Sequence, residues 1–173
     1  MFDITDVVIV TLGAFEDSRG AFESVWEEHN PLPLGTGFAP SSVNFSYNTR
    51  KGTLRGLHFQ QRPYGQSKLV TCVSGKLLDV VVDLRVESST YKQWISFELS
   101  TRSGEALYIP SGCAHGFLSL EDNTTLCYLN EGRYMPDQSQ SLRWDDPEIA
   151  IDWPINNPTM SEKDRYAPRL FEL

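Results

Sequence analysis

The chain is predicted to be all-β, an antiparallel jelly-roll barrel forming one domain over 1–173, with an N-terminal strand arm and short C-terminal helices. Three observations predict it. Short extended runs rich in Val, Ile, Thr and aromatic residues recur at regular spacing, the composition of pleated, half-buried surfaces. Gly, Pro and Asp-Asn turns separate them, as in closed all-β architectures. No helical period is sustained for more than a turn or two before the end of the chain. At 173 residues the chain is the size of one ordinary domain and can bury a core without covalent staples.

Taken in order, Asp6 to Thr11 is a β-branched run, Phe15 to Gly20 reads as a turn, and Ala21 to Trp26 as a second extended stretch; together they form the arm. The Pro- and Gly-rich segment 27–40 reads as a loop, and its His29 as a solvent-exposed loop residue. Strands are then predicted over Ser42 to Tyr47, Thr53 to Phe59, Ser67 to Val73, Lys76 to Arg85, Trp94 to Leu99, Ala106 to Ile109, His115 to Leu120 and Thr124 to Leu129. In Lys76 to Arg85, Leu78, Val80, Val82 and Leu84 share one face, while Leu77, Asp79, Val81 and Asp83 form a mixed face suited to a partly polar barrel interior. In the tail, Trp144 to Pro147 and Ile151 to Pro154 bracket a short extended piece, and Ser161-Glu162-Lys163-Asp164 fits a capping pattern at the start of a short helix.

The composition excludes several classes. No apolar run approaches the twenty or so residues that cross a bilayer. The first residues show no basic stretch before an apolar one, so no secretory signal is expected and the cytoplasm is the default compartment. Cys72, Cys113 and Cys127 are odd in number, lack paired spacing, and read as reduced and buried. With 15 Lys and Arg against 23 Asp and Glu, the formal charge of −8 disfavours nucleic acid and anionic membranes. A local cluster such as Arg19, Arg55 and Lys68 could still bind a small phosphate ligand.

Candidate chemistry centres on Arg55-Gly56-Leu57-His58-Phe59-Gln60, followed by Lys68. In strict alternation Leu54, Gly56, His58 and Gln60 share one face, and Arg55, Leu57 and Phe59 the other. A histidine among basic residues in a polar cavity is a competent general base, and a lone strand histidine is also a common structural residue. Three chemistries compete for these residues. A metal site would need a His-x-His pair, and Gln60 stands where the second histidine would be. A Cys113 nucleophile with His115 on the same face lacks any visible feature that would make the thiolate. Proton abstraction next to a carbonyl needs a base such as His58, a cation such as Lys68 for the enolate oxygen, and an acid across the cavity, for which Tyr128 and Tyr134 are placed.

Arg55 to Gln60, Gln66-Ser67-Lys68-Leu69-Val70, Asp79 to Arg85, Ile109 to Phe117, Trp144-Asp145-Asp146 and Ile151-Asp152-Trp153-Pro154, in this order, resemble the dTDP-4-dehydrorhamnose 3,5-epimerase family from about Ser18 to Asp164. The resemblance implies a cupin-type jelly roll, a homodimer with exchanged N-terminal strands, and an isomerase without cofactor or metal that inverts C3 and C5 of a nucleotide-linked 4-keto-6-deoxyhexose. By the same resemblance His58 is the base, Lys68 holds the enolate, Tyr128 is the acid and Asp164 orients His58. Arg55 becomes a substrate-binding arginine and Arg19 a diphosphate contact reached from the partner chain, with Phe22 and Glu23 of the same arm as further substrate-binding positions. Asn44, Ser46, Gln60, His115 and Tyr134 become cavity-lining positions, and Asp79 and Asp83 either support the site or line the barrel. Two departures from the family pattern lie where the nucleotide would be held: Ser42 in place of Gln, and an arm in which Glu23 is one residue closer to Gly20, with Ala21 in place of an aromatic. The alternatives are an epimerase acting at one carbon or on another nucleotide, a non-catalytic sugar-binding jelly roll, and a metal-dependent cupin.

Overall fold

The alternation in Lys76–Asp83 is the plan of the whole molecule. Leu78, Val80 and Val82 pack outward against the C-terminal segment, while Leu77 and Val81 pack inward with Val70, Leu107, Phe117 and Leu126 from other strands. Asp79 and Asp83 share that inner face, so the interior is apolar at one level and charged at another. The computed structural model describes residues 4, 6–28, 37–101 and 103–173; His29 lies outside them.

The strands are β1 (Val8–Thr11), β2 (Ala14–Asp17), β3 (Gly20–Glu23), β4 (Ser42–Asn48), β5 (Leu54–Gln60), β6 (Ser67–Ser74), β7 (Lys76–Asp83), β8 (Trp94–Ser100), β9 (Glu105–Ile109), β10 (Cys113–Ser119), β11 (Thr124–Glu131) and β12 (Ser139–Ser141). One helical turn, α1 (Glu162–Arg165), and 3₁₀ turns at Pro136–Gln138 and Leu170–Glu172 complete the chain. One five-stranded sheet runs β1-β9-β6-β11-β4 and the other β12-β5-β10-β7-β8, with every strand pair antiparallel. The all-β jelly roll predicted from the sequence is the architecture observed. Among the described residues, no helix is long and apolar enough to cross a membrane.

Three apolar layers hold the sheets. The inner one lies between them, and a second covers the outer face of the first sheet with Val10, Leu12, Leu69, Tyr108, Leu129 and Phe38. The third pins the tail to the outer face of the second sheet through Leu142, Ile149 and Trp153, whose indole N–H donates to the Trp144 carbonyl at 2.8 Å. Burial of such large side chains stabilises by about 2–3 kcal/mol each, which overcomes the entropy of fixing a tail with almost no regular structure. The tail then runs beside β5, where Leu54 N–H donates to the Thr159 carbonyl at 2.8 Å, and ends its crossing in α1.

Two local expectations are corrected, and one strand was not expected. Phe15 to Asp17, predicted as turn, is strand β2: only Ser18 and Arg19 turn, and Arg19 folds back on Asp17 with its backbone N–H and guanidinium. The polar DSRG run signals a turn but not its length. Between Trp144 and Pro154 there is no strand, because indole packing rather than a ladder organises that stretch. β12 is only three residues of Ser and Gln, without the β-branched signature of a strand.

At the end of β7, Asp83 has no exposed surface; Oδ1 accepts from Arg85 N and Nε at 2.9 Å, and Oδ2 from Arg85 Nη2 at 2.9 Å and Thr90 Oγ1 at 2.7 Å. Burial pushes this carboxyl up, but the Arg85, Ser88 and Thr90 hydrogen bonds outweigh it and hold it at about 2. A folded value below the unfolded one contributes stability that is complete above about pH 4 and disappears as pH falls through the folded value. Asp83→Asn is therefore expected to destabilise the protein by about 3 kcal/mol in urea denaturation at neutral pH, with the difference from wild type shrinking in acid.

Candidate active site

A cavity of about 850 Å³ opens between the sheets. Its floor follows from strand register. His58 on β5 lies directly opposite His115 on β10, and Tyr128 on β11 lies opposite both Asn44 on β4 and Val70 on β6. Lys68, two residues before Val70, shares its inward face.

Strict alternation fails at one place, and the site depends on it. His115 pairs with His58 but Phe117 pairs with Arg55, so Gly56 and Leu57 together oppose the single residue Gly116. This is a β-bulge, and the extra residue reverses the side-chain phase. Arg55 therefore leaves the face of Leu57 and Phe59 and lines the cavity with His58, while Leu54 joins Leu57 in the outer layer. The expectation that Arg55 and His58 lie on opposite faces is overturned by this one inserted residue.

His58 Nε2 lies 2.7 Å from Asp164 Oδ1, and Gly56 N–H donates to Oδ2 at 3.4 Å. With Nε2–H donated to the carboxylate, Nδ1 carries the lone pair. The imidazole is 40% exposed and its partner carboxylate 7%, so the ring can meet a ligand while the carboxylate is shielded. Burial pushes the Asp164 carboxyl up, but the His58 contact, with those of Gly56 and Ser161, leaves it below its ordinary value. Ser161 Oγ also accepts from Asp164 N–H at 3.1 Å, so α1 is capped as predicted and its carboxylate remains free for His58.

Across the cavity, burial pushes the Lys68 ammonium down to about 8, although Asp79 and Cys113 oppose the shift. Burial likewise raises the Tyr128 phenol far above its ordinary range, so it stays protonated. Tyr128 packs edge-on against His115, with ring centroids 5.9 Å apart. His115 Nε2 lies 2.9 Å from Asp79 Oδ2, a second imidazole–carboxylate pair, with both side chains almost inaccessible. Cys113 lines the cavity, but burial pushes its thiol to about 12, and the His115 ring nitrogen Nε2 is taken by Asp79. Among the described residues, no group of three His, Cys, Asp or Glu is arranged to hold a metal ion.

Asn44, Ser46, Gln60, His115 and Tyr134 all line the cavity, with Tyr134 exposed on the loop after β11. Gln60 spends its amide on backbone: Nε2 donates to the carbonyls of Tyr64 and Arg133, and Oε1 accepts from Met135 N–H at 2.7 Å. Arg19, Phe22 and Glu23 do not line this cavity; they lie on the exposed β2–β3 hairpin, whose strands pair only with each other among the described residues. Sequence reasoning passed over Asn48, whose Oδ1 accepts from Arg55 Nε at 2.8 Å while Nδ2 donates to the carbonyls of Ser46 and Thr124. It also passed over Gln66, Asn130 and Lys163. The first two lie two residues from Lys68 and Tyr128, so alternation could have found them; Lys163 carries no signal beyond adjacency to Asp164.

Fold and cavity together define a class: a cupin-type jelly roll with acid and base groups set around a space for a small molecule. The chain belongs to the dTDP-4-dehydrorhamnose 3,5-epimerase family, whose model matches residues 1–172, and it is thus an isomerase. The dTDP-4-dehydrorhamnose 3,5-epimerase of Sinorhizobium fredii is 41% identical, across 98% of this chain and 88% of its own. The dTDP-4-dehydrorhamnose 3-epimerase of Streptomyces niveus is 44% identical, across 90% of this chain and 75% of its own. The crystal structure of the Bacillus anthracis dTDP-4-dehydrorhamnose 3,5-epimerase, with TDP and PPi bound, superposes with a TM-score of 0.90 at 38% identity, covering 98% of this chain and 97% of that one.

The bulge makes a specific demand. Gly56 has φ +126°, and a Cβ there would lie 2.6 Å from Gly116 Cα and 2.9 Å from the His115 carbonyl oxygen. Gly56→Ala is expected to cost at least about 2 kcal/mol in urea denaturation, because backbone rather than a flexible side chain must move.

Proposed function

We propose that the protein converts dTDP-4-dehydro-6-deoxyglucose to dTDP-4-dehydrorhamnose by inverting C3 and C5 through enolates. The observation that carries this reading is the His58–Asp164 pair at 2.7 Å on the same cavity as the buried Lys68 ammonium and the protonated Tyr128 phenol. In each inversion His58 Nδ1 takes the proton from the carbon next to the 4-keto group. The C–H electron pair moves into the enolate, whose oxygen is held by Lys68. Tyr128 O–H then delivers a proton to the opposite face of that carbon, and His58 and Tyr128 return to their starting forms by proton exchange with solvent. Electrons balance without an oxidant, reductant or cofactor. A positioned acid or base contributes about 10²–10⁴-fold, so base, acid and cation together suffice for an exchange of this kind.

Arg55, held by Asn48 at the cavity wall, is suited to the diphosphate, and Asn44, Ser46, His115 and Tyr134 to the sugar and its substituents. For the arm, we propose a homodimer in which the β2–β3 hairpin brings Arg19, Phe22 and Glu23 to the partner's cavity. In support, the hairpin pairs with no other strand among the described residues, and Phe15 and Phe22 are 78% and 70% exposed on it. Three unpaired, buried thiols support a reducing compartment, the cytoplasm.

Proton NMR of the dTDP-4-keto sugar in D₂O tests the chemistry. Deuterium is expected at C3 and C5 with wild type, with exchange slowed by about 10³-fold in His58→Ala and about 10²-fold in Asp164→Asn, which keeps shape but loses the charge steering the imidazole. The similarity to the Streptomyces niveus 3-epimerase favours one second reading, and deuterium at C3 alone would select it. Binding of the sugar nucleotide without exchange at either carbon would replace the enzyme with a sugar-binding jelly roll.

Mixing two inactive variants tests the arm. If Arg19 acts in trans, Arg19→Ala combined with His58→Ala after subunit exchange is expected to regain about a quarter of wild-type activity, because half the dimers are mixed and each has one complete site. No regain, or a monomer in sedimentation, would remove the arm from the site.

A further inference from the structure

Two carboxylates each hold one imidazole of this cavity, on neighbouring strands of the second sheet, and only one of them touches the proposed base. Asp79 has no exposed surface; Oδ2 meets His115 Nε2 at 2.9 Å, and Oδ1 is hydrogen-bonded to nothing among the described residues. Lys68, on the facing sheet, makes no ion pair among the described residues, so its ammonium has no contact counter-ion. The charged and titratable groups turned toward the same interior are Asp79 from β7, Cys113 and His115 from β10, Tyr128 from β11, and His58 and Arg55 from β5, the Arg55 guanidinium acting on Tyr128 in the sense opposite to Asp79. From β8 and β9 the inward apolar residues are Ile95, Phe97, Leu99, Leu107 and Ile109. Asp83, four residues along β7, is neutralised by Arg85.

We propose that Asp79 is a positioning residue for the acid side of the reaction: its buried negative charge, anchored on His115, holds Lys68 as an ammonium and Tyr128 as a phenol. The inference rests on the epimerase reading for what those two groups do, and on geometry for the charge that governs them. The effect is consistent in sign at three sites. Burial lowers Lys68 and His115, and Asp79 is the largest influence opposing it at both. Burial raises Tyr128, and Asp79 adds to it. Each time the carboxylate favours the form that keeps its proton. A neutral His115 donating Nε2–H to Asp79 adds no positive charge that would offset this effect. The site is thus divided: Asp164 orients the proton acceptor, and Asp79 maintains the proton donor and the cation.

Asp79→Asn retains an oxygen to accept from His115 Nε2–H and removes the charge. In substrate-free protein, ¹⁵N NMR of lysine-labelled enzyme is expected to show the Lys68 titration falling from near its wild-type position by about one unit or more. In the D₂O exchange assay the alkaline limb of kcat/KM is expected to move down by the same amount, with activity approaching wild type on the acid side. A uniform loss at every pH with an unmoved Lys68 titration is what a purely structural role gives, and it would overturn the proposal. Should Asp79→Asn not fold, ¹³C spectra of the wild-type Asp79 carboxyl decide: a carboxylate at the pH of maximal exchange is expected, and a neutral acid there overturns the inference. The two NMR readouts need no substrate. Wild-type protein that exchanges no sugar proton would therefore sink the epimerase reading while leaving the charge on Lys68 measurable.

Discussion

The close approach of β5 and β10 at Gly56 and Gly116 is the constraint on which the site depends. A Cβ on either glycine would meet backbone of the other strand within 3 Å, at 2.6 Å for Gly56 and 2.8 Å for Gly116, so neither can carry a side chain without displacing main chain. That contact fixes the bulge, and the bulge reverses the phase of β5. Without it, His58 and Arg55 would point to opposite faces and no cavity could hold both. The same residue presents its N–H to Asp164, so one backbone position sets the inward turn of the strand and receives the tail.

The tail explains how an irregular segment can perform a precise task. His58 and Asp164 are 106 residues apart in sequence, and the carboxylate is delivered by a stretch with one helical turn. Its precision comes from what precedes it: Ile149 and Trp153 pack on the outer face of the second sheet, and the pairing around Thr53 and Thr159 ties the chain to β5. Catalytic geometry tolerates errors well below an ångström, so apolar packing on the outside of the barrel acts directly on the chemistry inside. A residue such as Trp153, far from any ligand, belongs to the site in this physical sense.

How much was legible in the sequence follows from which forces were local. Period-two patterning in Lys76–Asp83 carried both the outer and the inner face of β7, because each side chain there reports its own environment. The same rule misplaced Arg55, since a bulge is a property of two strands in register and Gly56 alone does not reveal Gly116 across from it. Asp164 had a local reading as a helix cap. The Ser161 contact is there, but the carboxylate's second role depends on a long-range approach that no spacing encodes. Only resemblance to a family raised that role before the structure placed Asp164 on His58. Asn48 was invisible for the opposite reason: it touches no ligand position, and its importance lies in holding Arg55.

Charge is distributed unevenly between the cavity and the rest of the surface. A protein with a formal charge of −8 hosts a cavity suited to an anionic nucleotide, a conflict that is resolved locally. Lys68, Arg55 and Lys163 all line the cavity, while the nearby acids are each committed: Asp164 to His58, Asp79 to His115 and Asp83 to Arg85. Asp83 is neutralised by the Arg85 guanidinium, and the other two are hydrogen-bonded to imidazoles; at short range inside the barrel such carboxylates bias the protonation of their neighbours, where the low dielectric strengthens every charge. The surplus acid lies outside the cavity, where solvent and salt screen it from the ligand within a Debye length of about 8–10 Å. Net charge thus governs the solubility of this chain, and pairing governs its chemistry.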